Sequence, residues 1–181
     1  MDSKSHIKRE FYKFIEIFLS RKKCITISCS KGEHEETLKF NKHAVYVNNG
    51  INLEELHKSI RLTCKIEEEH NEIGGATIFT SGRICYQKNP ALFNDIALMM
   101  QKTRFLWIGD GELRGKLTAP NIEITGWVTR DEAVKYSVKS DIFILPSLWE
   151  GLPISLLEAM YMKKPCIVNN VIGNRDVIKN D

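Results

Sequence analysis

The sequence predicts an α/β protein built around a doubly wound, parallel β-sheet. From Ala76 onward, short apolar runs alternate with amphipathic stretches of helical length, and glycine follows several of the apolar runs. Strands that alternate with helices of this length form parallel βαβ units, in which helices cover both faces of the sheet. With 181 residues, 43% of them hydrophobic and 27% charged, the chain can bury the core that such a domain needs.

The first predicted element is an amphipathic helix near the N terminus. The apolar residues Ile7, Phe11, Phe14 or Ile15, and Phe18 recur at helical spacing. Lys13 and Glu16 interrupt the apolar stretch. The stretch therefore fits neither a membrane span nor a signal peptide. We expect its apolar face to point toward the core. Basic residues flank the helix and leave a position on a membrane surface as the alternative.

A strand, a helix and a second strand are predicted next. Cys24–Cys29 is short and β-branched, which is typical of a buried strand. Ser30 and Glu33 have the spacing of a capping box, so a helix should begin there and run to about Phe40. Ala44–Val47 is another β-branched run and predicts the second strand.

A polar stretch separates this unit from the rest of the chain. Residues 53–75 contain few apolar positions and end in Gly74-Gly75, which is typical of a linker with some helix in it. We therefore divide the chain into an N-terminal segment, 1–52, this linker, and a larger segment, 76–181.

The larger segment is predicted to contain five strands and three helices. Asn89-Pro90 combines an N-cap residue with proline at the first helical position, and Thr129 and Glu132 have the spacing of a capping box. The predicted strands are Thr77–Thr80, Phe105–Ile108, Ile122–Thr125, Asp141–Leu145 and Cys166–Asn169, and the helices run from Pro90 to about Lys102, from Thr129 onward and from Pro153 to Met162.

Four of the loops that follow these strands carry glycine or a carboxylate, namely Gly82, Gly109-Asp110-Gly111, Gly126 and Glu150. In doubly wound sheets the carboxyl ends of the strands lie on one edge, and ligands bind there. A single glycine is explained equally well by a tight turn between strand and helix. Four such loops on one edge predict a ligand crevice.

Composition argues against a nucleic-acid-binding protein. Lys and Arg number 26 and Asp and Glu 23, which gives a net charge of +3, and the sequence shows no strongly basic cluster. The five cysteines form no Cys-x-x-Cys pair, and Cys24, Cys29 and His34 fit no zinc spacing. We expect reduced, buried thiols and a cytoplasmic protein without a metal site.

Two glutamates bracket the start of the last predicted helix. Glu150 lies in the loop before Pro153, and Glu158 lies inside the helix, roughly 7 Å beyond its first residue. Between them, the free amides near Gly151 and Leu152 and the helix dipole form an anion site. Carboxylates on both sides of an anion site suit a ligand with hydroxyl groups at both ends and phosphate in the middle. A nucleotide sugar has this layout.

The same segment carries a family resemblance. The pattern Glu150-x7-Glu158, with Gly-Leu-Pro inside it and Glu-Ala-Met at its end, resembles the signature of the retaining GT-B glycosyltransferases of family 4, also called glycosyl transferases group 1. The segments that agree with this family, in order, are SGRICYQKNPALF, FLWIGDGELR, ITGWVTRDEA, SDIFILPSLWEGLPISLLEAM and NNVIGNRDVI. The resemblance covers most of residues 76–178 and implies the Rossmann-like, donor-binding half of a GT-B fold.

The resemblance also implies a role for each conspicuous position. Arg83 and Lys88 would hold the donor diphosphate, together with the anion site at the helix start. The turn Gly126-Trp127-Val128 would contact the base, mostly through its backbone. Glu150, as the catalytic residue, would accept hydrogen bonds from the sugar hydroxyls, and Glu158 from the ribose. No metal or other cofactor is needed, because the cations and the helix amides neutralise the leaving diphosphate.

The implied reaction moves a sugar from a nucleoside-diphosphate sugar to a glycan or lipid-linked acceptor, with retention of configuration, in polysaccharide biosynthesis. Residues 24–52 resemble only the end of the family's acceptor-side domain, and 76–181 stops before the family's final helices, so we expect a truncated enzyme. Its N-terminal segment, 1–52, should leave apolar side chains without their normal cover, namely Phe11, Phe14, Ile15, Phe18, Ile25 and Ile27. The alternative is a catalytically silent remnant, or a donor-binding subunit that needs a partner chain or self-association. We expect a cytoplasmic location, with peripheral attachment to the inner face of the membrane as a variant.

An oxidoreductase that binds a dinucleotide is a further alternative. Gly109 and Gly111 begin a pattern like Gly-x-Gly-x-x-Gly, but the next glycine, Gly115, comes one residue late. The chain also departs from the glycosyltransferase pattern at one place, because Ile172-Gly173 stands where the family commonly has two glycines.

Overall fold

The computed structural model describes residues 10–12, 14, 15, 17–19, 24–66 and 75–178. Its strands are β1 (Thr26–Ser28), β2 (Ala44–Tyr46), β3 (Thr77–Ser81), β4 (Arg104–Ile108), β5 (Ile122–Ile124), β6 (Ile142–Leu145) and β7 (Cys166–Val168). Its named helices are α1 (Lys31–Leu38), α2 (Leu53–Ile66), α3 (Pro90–Met99), α4 (Arg130–Lys139), α5 (Ile154–Tyr161) and α6 (Ile172–Val177), with short 3-10 helices at Tyr86–Lys88 and Arg114–Lys116. The predicted α/β class is confirmed, and the strand ends differ from the prediction by one or two residues.

Five parallel strands form the central sheet in the order β5-β4-β3-β6-β7. The chain runs outward from β3 through β4 to β5 and then returns to the other side of β3 for β6 and β7. Ile78 of β3 lies opposite Ile142 of β6, and Phe79 lies opposite Phe143. The winding therefore reverses between β3 and β6, and ligands of doubly wound sheets bind at the carboxyl ends of the strands beside such a reversal.

Large aromatic side chains fill both faces of this sheet. Phe105 and Trp107 of β4 lie on one face with Phe93 of α3, and the ring centroids of Phe93 and Trp107 are 5.0 Å apart. Phe79 and Phe143 lie on the other face, with ring centroids 5.3 Å apart. All five rings are buried, and each contributes about 1.5–3 kcal/mol to folding. This packing fixes the strand ends from which the loops of the site extend.

A small β-α-β unit precedes the central sheet. β1 and β2 pair in parallel, with Thr26 opposite Ala44, and α1 connects them. The unit contacts the larger segment at α6, where the Gly32 amide donates to Asp176 Oδ2 over 2.9 Å. A Cβ atom at Gly32 would overlap the side chain of Ile172, so glycine permits this close packing of α1 on α6. Ile27 on β1 remains about two-thirds exposed.

The stretch predicted as a linker contains a 14-residue helix, α2. It packs against α4, and Ser59 Oγ lies 2.6 Å from Asp131 Oδ1 in a hydrogen bond. Leu56 is fully buried, whereas most of its neighbours on α2 are exposed. The polar composition of this stretch thus belongs to a surface helix with one narrow buried face.

Local capping explains where two helices differ from the prediction. Ser30 caps α1, but Glu33 Oε2 accepts from the Cys29 amide rather than from Ser30, so the predicted capping box is only half formed. α3 ends at Met99 and not near Lys102. Its end coincides with the side-chain amide of Asn121, which donates to the carbonyl groups of Ala97, Met100 and Thr103. By contrast, the capping box predicted at the start of α4 is complete.

The N-terminal helix is present in the described residues between 10 and 19, but its apolar face is not covered there. Phe11, Phe14 and Phe18 are each more than half exposed, so the prediction that the helix faces the core is wrong for the described residues. The expectation that a truncated N-terminal segment leaves these three side chains uncovered is confirmed. Ile7, and with it Lys13 and Glu16, lies outside the described residues. In the part of the chain that the structure describes, no helix is long and apolar enough to cross a membrane.

The four cysteines whose side chains the structure describes are free thiols, and they are less buried than expected. Cys24 is exposed, and Cys29, Cys85 and Cys166 are half-buried. The prediction of buried thiols is therefore wrong for these four.

Candidate active site

The centre of the site is an ion pair between the two loops that follow β3 and β6. Lys88 Nζ lies 2.7 Å from Glu150 Oε1, and the two side chains are only 16% and 6% exposed. Gln87, in the loop after β3, joins this loop to the loop after β6 by two hydrogen bonds. Its backbone carbonyl accepts from the Leu148 amide at 2.8 Å, and its side chain donates to the Trp149 carbonyl at 3.0 Å. The family resemblance implies that Lys88 and Glu150 bind different parts of the ligand, and the structure brings the two side chains into direct contact.

The backbone around Lys88 accounts for its position. Residues Tyr86–Lys88 form a 3-10 turn, and Asn89 follows in the left-handed conformation with φ 53°. The Asn89 side chain then caps α3, and Pro90 occupies its first turn as predicted. Gly82 has φ +142°, and a Cβ atom there would touch the Lys88 side chain at 3.4 Å. The turn and the glycine together let Lys88 cross the loop and reach Glu150.

The start of α5 provides unpaired amides beside this ion pair. Pro153 occupies the N-cap position rather than the first helical turn, and no described side chain caps the helix. Among the described residues, no hydrogen-bond acceptor pairs with the amides of Gly151, Ile154 or Ser155. The Leu152 amide acts on the Cys29 thiol, where it opposes the rise in pKa that burial causes. Of the two amides predicted for the anion site, Gly151 is thus open and Leu152 is shared with the N-terminal segment.

Gly173 fixes the loop that contains Glu150. Its amide donates to the Glu150 carbonyl over 3.2 Å, and a Cβ atom at this position would overlap the Gly151 carbonyl oxygen. In the sequence Ile172-Gly173, the second position is therefore the one that has to be glycine, and the backbone it approaches is that of the Glu150 loop.

The small N-terminal unit also reaches the site, which the sequence did not predict. Cys29 Sγ donates to Glu33 Oε2 at 3.0 Å, and both side chains abut Gly151, where a Cβ atom would lie 2.8 Å from each. Burial, reinforced by the Glu33 carboxylate, raises the pKa of Cys29 to about 11. Asn49 Nδ2 donates to the Leu152 carbonyl at 2.7 Å. Segment 24–52 therefore forms one wall of the Glu150 loop.

Arg83 lies at the rim of the site, not at its centre. Its Nε donates to Glu112 Oε2 over 3.0 Å, and both side chains are more than half exposed. The two residues line a cavity of about 450 Å³ with Asp110, Gly111 and Trp127. Trp127 is 71% exposed there, so the turn predicted to contact the base presents an indole ring as well as its backbone.

The other two residues of this turn also have structural roles. Gly126 adopts φ +73°, and Val128 packs against the core beneath α5. The glycines after β4 are explained by loop packing, because a Cβ atom would overlap the Gly82 carbonyl at Gly109 and the Ile84 backbone at Gly111. These two glycines therefore give no separate support to a dinucleotide site.

Glu158 lies on α5 with its side chain 18% exposed, and its partner is a residue that the sequence analysis did not select. Arg130 Nη2 lies 2.8 Å from Glu158 Oε1. Burial raises the pKa of Glu158, and the Arg130 charge opposes that rise. The capping box at Thr129 indicates that Arg130 begins a helix, but nothing in the sequence pairs it with a carboxylate on the next helix.

The family model of the glycosyl transferases group 1 matches residues 75–181. An Escherichia coli relative, UDP-Gal:alpha-D-GlcNAc-diphosphoundecaprenol alpha-1,3-galactosyltransferase, is 33% identical over 94% of this chain and 49% of its own length. A Klebsiella pneumoniae relative, an uncharacterized 41.2 kDa protein in the cps region, is 29% identical over 99% of this chain and 52% of its own length. The chain thus spans about half the length of these curated relatives.

A solved structure supports the fold. Anabaena Alr3699/HepE, in complex with UDP and glucose, has a TM-score of 0.66 and 14% identity, over 86% of this chain and 47% of that chain. At this identity the likeness concerns the fold alone, which is that of the GT-B glycosyltransferases. The family model covers more than half of the chain, and we conclude that the protein belongs to the glycosyl transferases group 1.

Proposed function

We propose that this protein binds a nucleoside-diphosphate sugar at the reversal between β3 and β6, and that the sugar is transferred to a lipid-linked or glycan acceptor with retention of configuration. The observation that carries the proposal is the buried pair of Lys88 and Glu150 beside the open amides of α5. A cation and a carboxylate in one pocket suit a ligand that is anionic on one side and rich in hydroxyl groups on the other.

In this proposal the diphosphate lies between Lys88, Arg83 and the start of α5. Lys88 uses one of its three N–H groups on Glu150, which leaves two for phosphate oxygens. Arg83 can turn from the exposed Glu112 carboxylate to the phosphate at little cost, because exposed ion pairs contribute only about 0–1 kcal/mol. The amides of Gly151, Ile154 and Ser155 add hydrogen bonds that strengthen as charge develops on the leaving diphosphate. We propose that these groups act without a metal or other cofactor.

The two carboxylates then bind the ends of the donor. Glu150 accepts from sugar hydroxyls at the reacting end, and Glu158, about 6 Å along α5 from its first residue, accepts from the ribose. The exposed Trp127 ring lines the cavity beyond and offers a surface for the base.

The relatives suggest the donor and acceptor classes. The E. coli relative is named for UDP-Gal and for a sugar carried on diphosphoundecaprenol, and HepE is described with UDP and glucose. We therefore propose a uridine nucleotide as donor and a lipid-linked sugar as acceptor, in the biosynthesis of a bacterial-type polysaccharide. A lipid-linked acceptor would require the protein to work at a membrane surface, consistent with peripheral attachment.

Donor binding without transfer is the second candidate function. It is favoured by the uncovered apolar side chains on the acceptor side, where Ile25 and Ile27 are about two-thirds exposed and Phe11 and Phe14 nearly so. Such surface is ordinarily covered by further protein, which a partner chain or self-association would supply here.

A transfer assay tests the proposal. Purified protein is incubated with a UDP-sugar and an undecaprenol-diphosphate sugar, with and without EDTA, and the anomeric configuration of the product is determined by NMR. We expect an α-linked product from an α-linked donor, at a rate that EDTA leaves unchanged. An inverted product, or activity that requires Mg²⁺ or Mn²⁺, would refute the mechanism. Binding of UDP without any transfer would support the second candidate.

A further inference from the structure

We propose that Arg130 is a positioning residue for the donor: it holds the Glu158 carboxylate in place, so that the protein distinguishes ribose from sugars that lack the 2′ and 3′ hydroxyls. The inference rests on the proposed function, because it takes Glu158 as the acceptor of hydrogen bonds from the ribose.

The geometry places Arg130 at the junction of two parts of the site. It is the first residue of α4 and directly follows the turn that carries Trp127 and Val128. Its position is fixed by the capping box, in which Thr129 Oγ1 accepts from the Glu132 amide and Glu132 Oε2 accepts from the Thr129 amide. From there its guanidinium reaches Glu158 on α5, with Nη2 2.8 Å from Oε1.

The ion pair of Arg130 and Glu158 differs from an ordinary surface ion pair because its two side chains differ in solvent exposure. The Arg130 side chain is 48% exposed, whereas the Glu158 side chain is 18% exposed. Glu158 Oε1 is inaccessible to solvent, and the one described donor within ion-pair distance of it is the Arg130 guanidinium. A carboxylate offers about four acceptor sites, so one ion pair with Arg130 leaves Glu158 free to accept from the hydroxyl groups of a ligand through the exposed part of its side chain.

Arg130 also keeps this carboxylate charged. Burial disfavours the ionised form of Glu158, and Arg130 is the one described charged group that acts against this effect. The other acidic residues at the start of α4 are engaged elsewhere, since Asp131 binds Ser59 and Glu132 folds back on Thr129. Tyr136 of α4 packs into the apolar cluster beside α5. Without Arg130, the Glu158 carboxyl would take up a proton more readily and accept ribose hydroxyls less well.

The test is a calorimetric titration of UDP and of 2′,3′-dideoxy-UDP against the wild-type protein and the variants Arg130→Gln, Arg130→Lys and Glu158→Gln. Arg104→Gln is the matched control, because Arg104 forms an exposed ion pair with Glu123 at the opposite edge of the sheet. We expect Arg130→Gln to weaken UDP binding about tenfold and to leave dideoxy-UDP binding unchanged. Arg130→Lys should recover part of the loss, and Arg104→Gln should match the wild type.

The pH dependence gives a second readout that a purely structural role would not change. The loss caused by Arg130→Gln should be larger at low pH and should shrink as the pH rises and Glu158 ionises. If Arg130→Gln weakens both ligands equally, or neither, while Glu158→Gln selectively weakens UDP, the inference about Arg130 is wrong and the proposed function stands. If the wild type binds neither UDP nor GDP, the proposed function fails, and the inference fails with it.

Discussion

The two cations assigned to the diphosphate lie in very different surroundings. Lys88 is buried against Glu150 at the centre of the site, whereas Arg83 is exposed and pairs with an exposed Glu112 at the rim. A buried pair loses several kcal/mol per ion in hydration and regains it only while both partners remain. An exposed pair contributes about 0–1 kcal/mol and exchanges partners readily. The pair at the centre of the site, Lys88 and Glu150, is therefore part of the folded core structure. The pair at the rim, Arg83 and Glu112, can separate when a ligand binds.

The difference predicts that the centre supports stability as well as binding. Replacing Glu150 with Ala should lower the free energy of unfolding by about 3–5 kcal/mol, because it leaves the Lys88 charge buried and unpaired. The double variant Lys88→Met/Glu150→Leu should recover most of that loss, because two apolar side chains of similar size remove both charges. Urea denaturation followed by circular dichroism measures the free energy of unfolding of both variants. Glu112→Ala is the matched variant at the rim, and a loss there as large as at Glu150 would contradict the comparison.

The backbone of the Glu150 loop should also be sensitive to substitution. Gly173→Ala forces the Glu150 loop to move, because the added Cβ overlaps the Gly151 carbonyl, and we expect a loss of about 1–3 kcal/mol in stability. Gly115→Ala is the control, since a Cβ at this position meets no described atom within 4 Å. Thermal melts that show equal effects for the two variants would mean that the loop is not held in the way described.

Lys88 and Arg83 should also differ in how much each contributes to the affinity for UDP. Lys88→Ala should weaken UDP binding by about 1.5–3 kcal/mol, roughly ten- to hundredfold, the usual loss for a hydrogen bond to a charged group. Arg83→Ala should weaken it only about threefold, because Arg83 is exposed and must first leave Glu112. Calorimetry well below the melting midpoint of each variant measures both constants. A larger loss at Arg83 than at Lys88 would reverse the roles assigned to centre and rim.

The smallest expected effect is the change that Glu158 causes in stability as the pH varies. The folded-state pKa of Glu158 is raised above 4.5 by burial, so the folded protein holds this proton more tightly than the unfolded chain. Its contribution to stability is therefore present below pH 4.5 and is lost as the pH rises through the raised pKa. Glu158→Gln should abolish that dependence. Denaturation curves from pH 4 to pH 8 that are parallel for the two proteins would argue against the raised pKa.

The fold and the edge of the sheet that bears the site follow from sequence because their signals are local. Apolar runs, glycine turns and caps such as Asn89-Pro90 each act within a few residues, and the parallel βαβ connection then places the loops on one edge. Lys88 and Glu150 were identified individually from their motifs. Their contact, and that of Arg130 with Glu158, joins residues far apart in the chain, so no local pattern reports it.

Two other predictions failed because they also depended on contacts between residues far apart in the chain. Cys29 was expected to be a reduced, buried thiol, but its contact with Glu33 against Gly151 depends on how the N-terminal unit packs on the larger segment. The helix near Phe11 was predicted correctly, yet its burial depends on neighbours that an amphipathic pattern does not specify. Sequence periodicity indicates which face of a helix is apolar, but not what covers it.

The central claim is that a nucleoside-diphosphate sugar binds where Lys88 and Glu150 meet. The most direct test is calorimetric titration of UDP-glucose and UDP-galactose against the wild type and against Lys88→Met/Glu150→Leu, which should be folded and of similar stability. We predict binding of at least one of the two UDP-sugars to the wild type and a loss of at least a hundredfold in the double variant. Equal affinity of the two proteins would contradict the account.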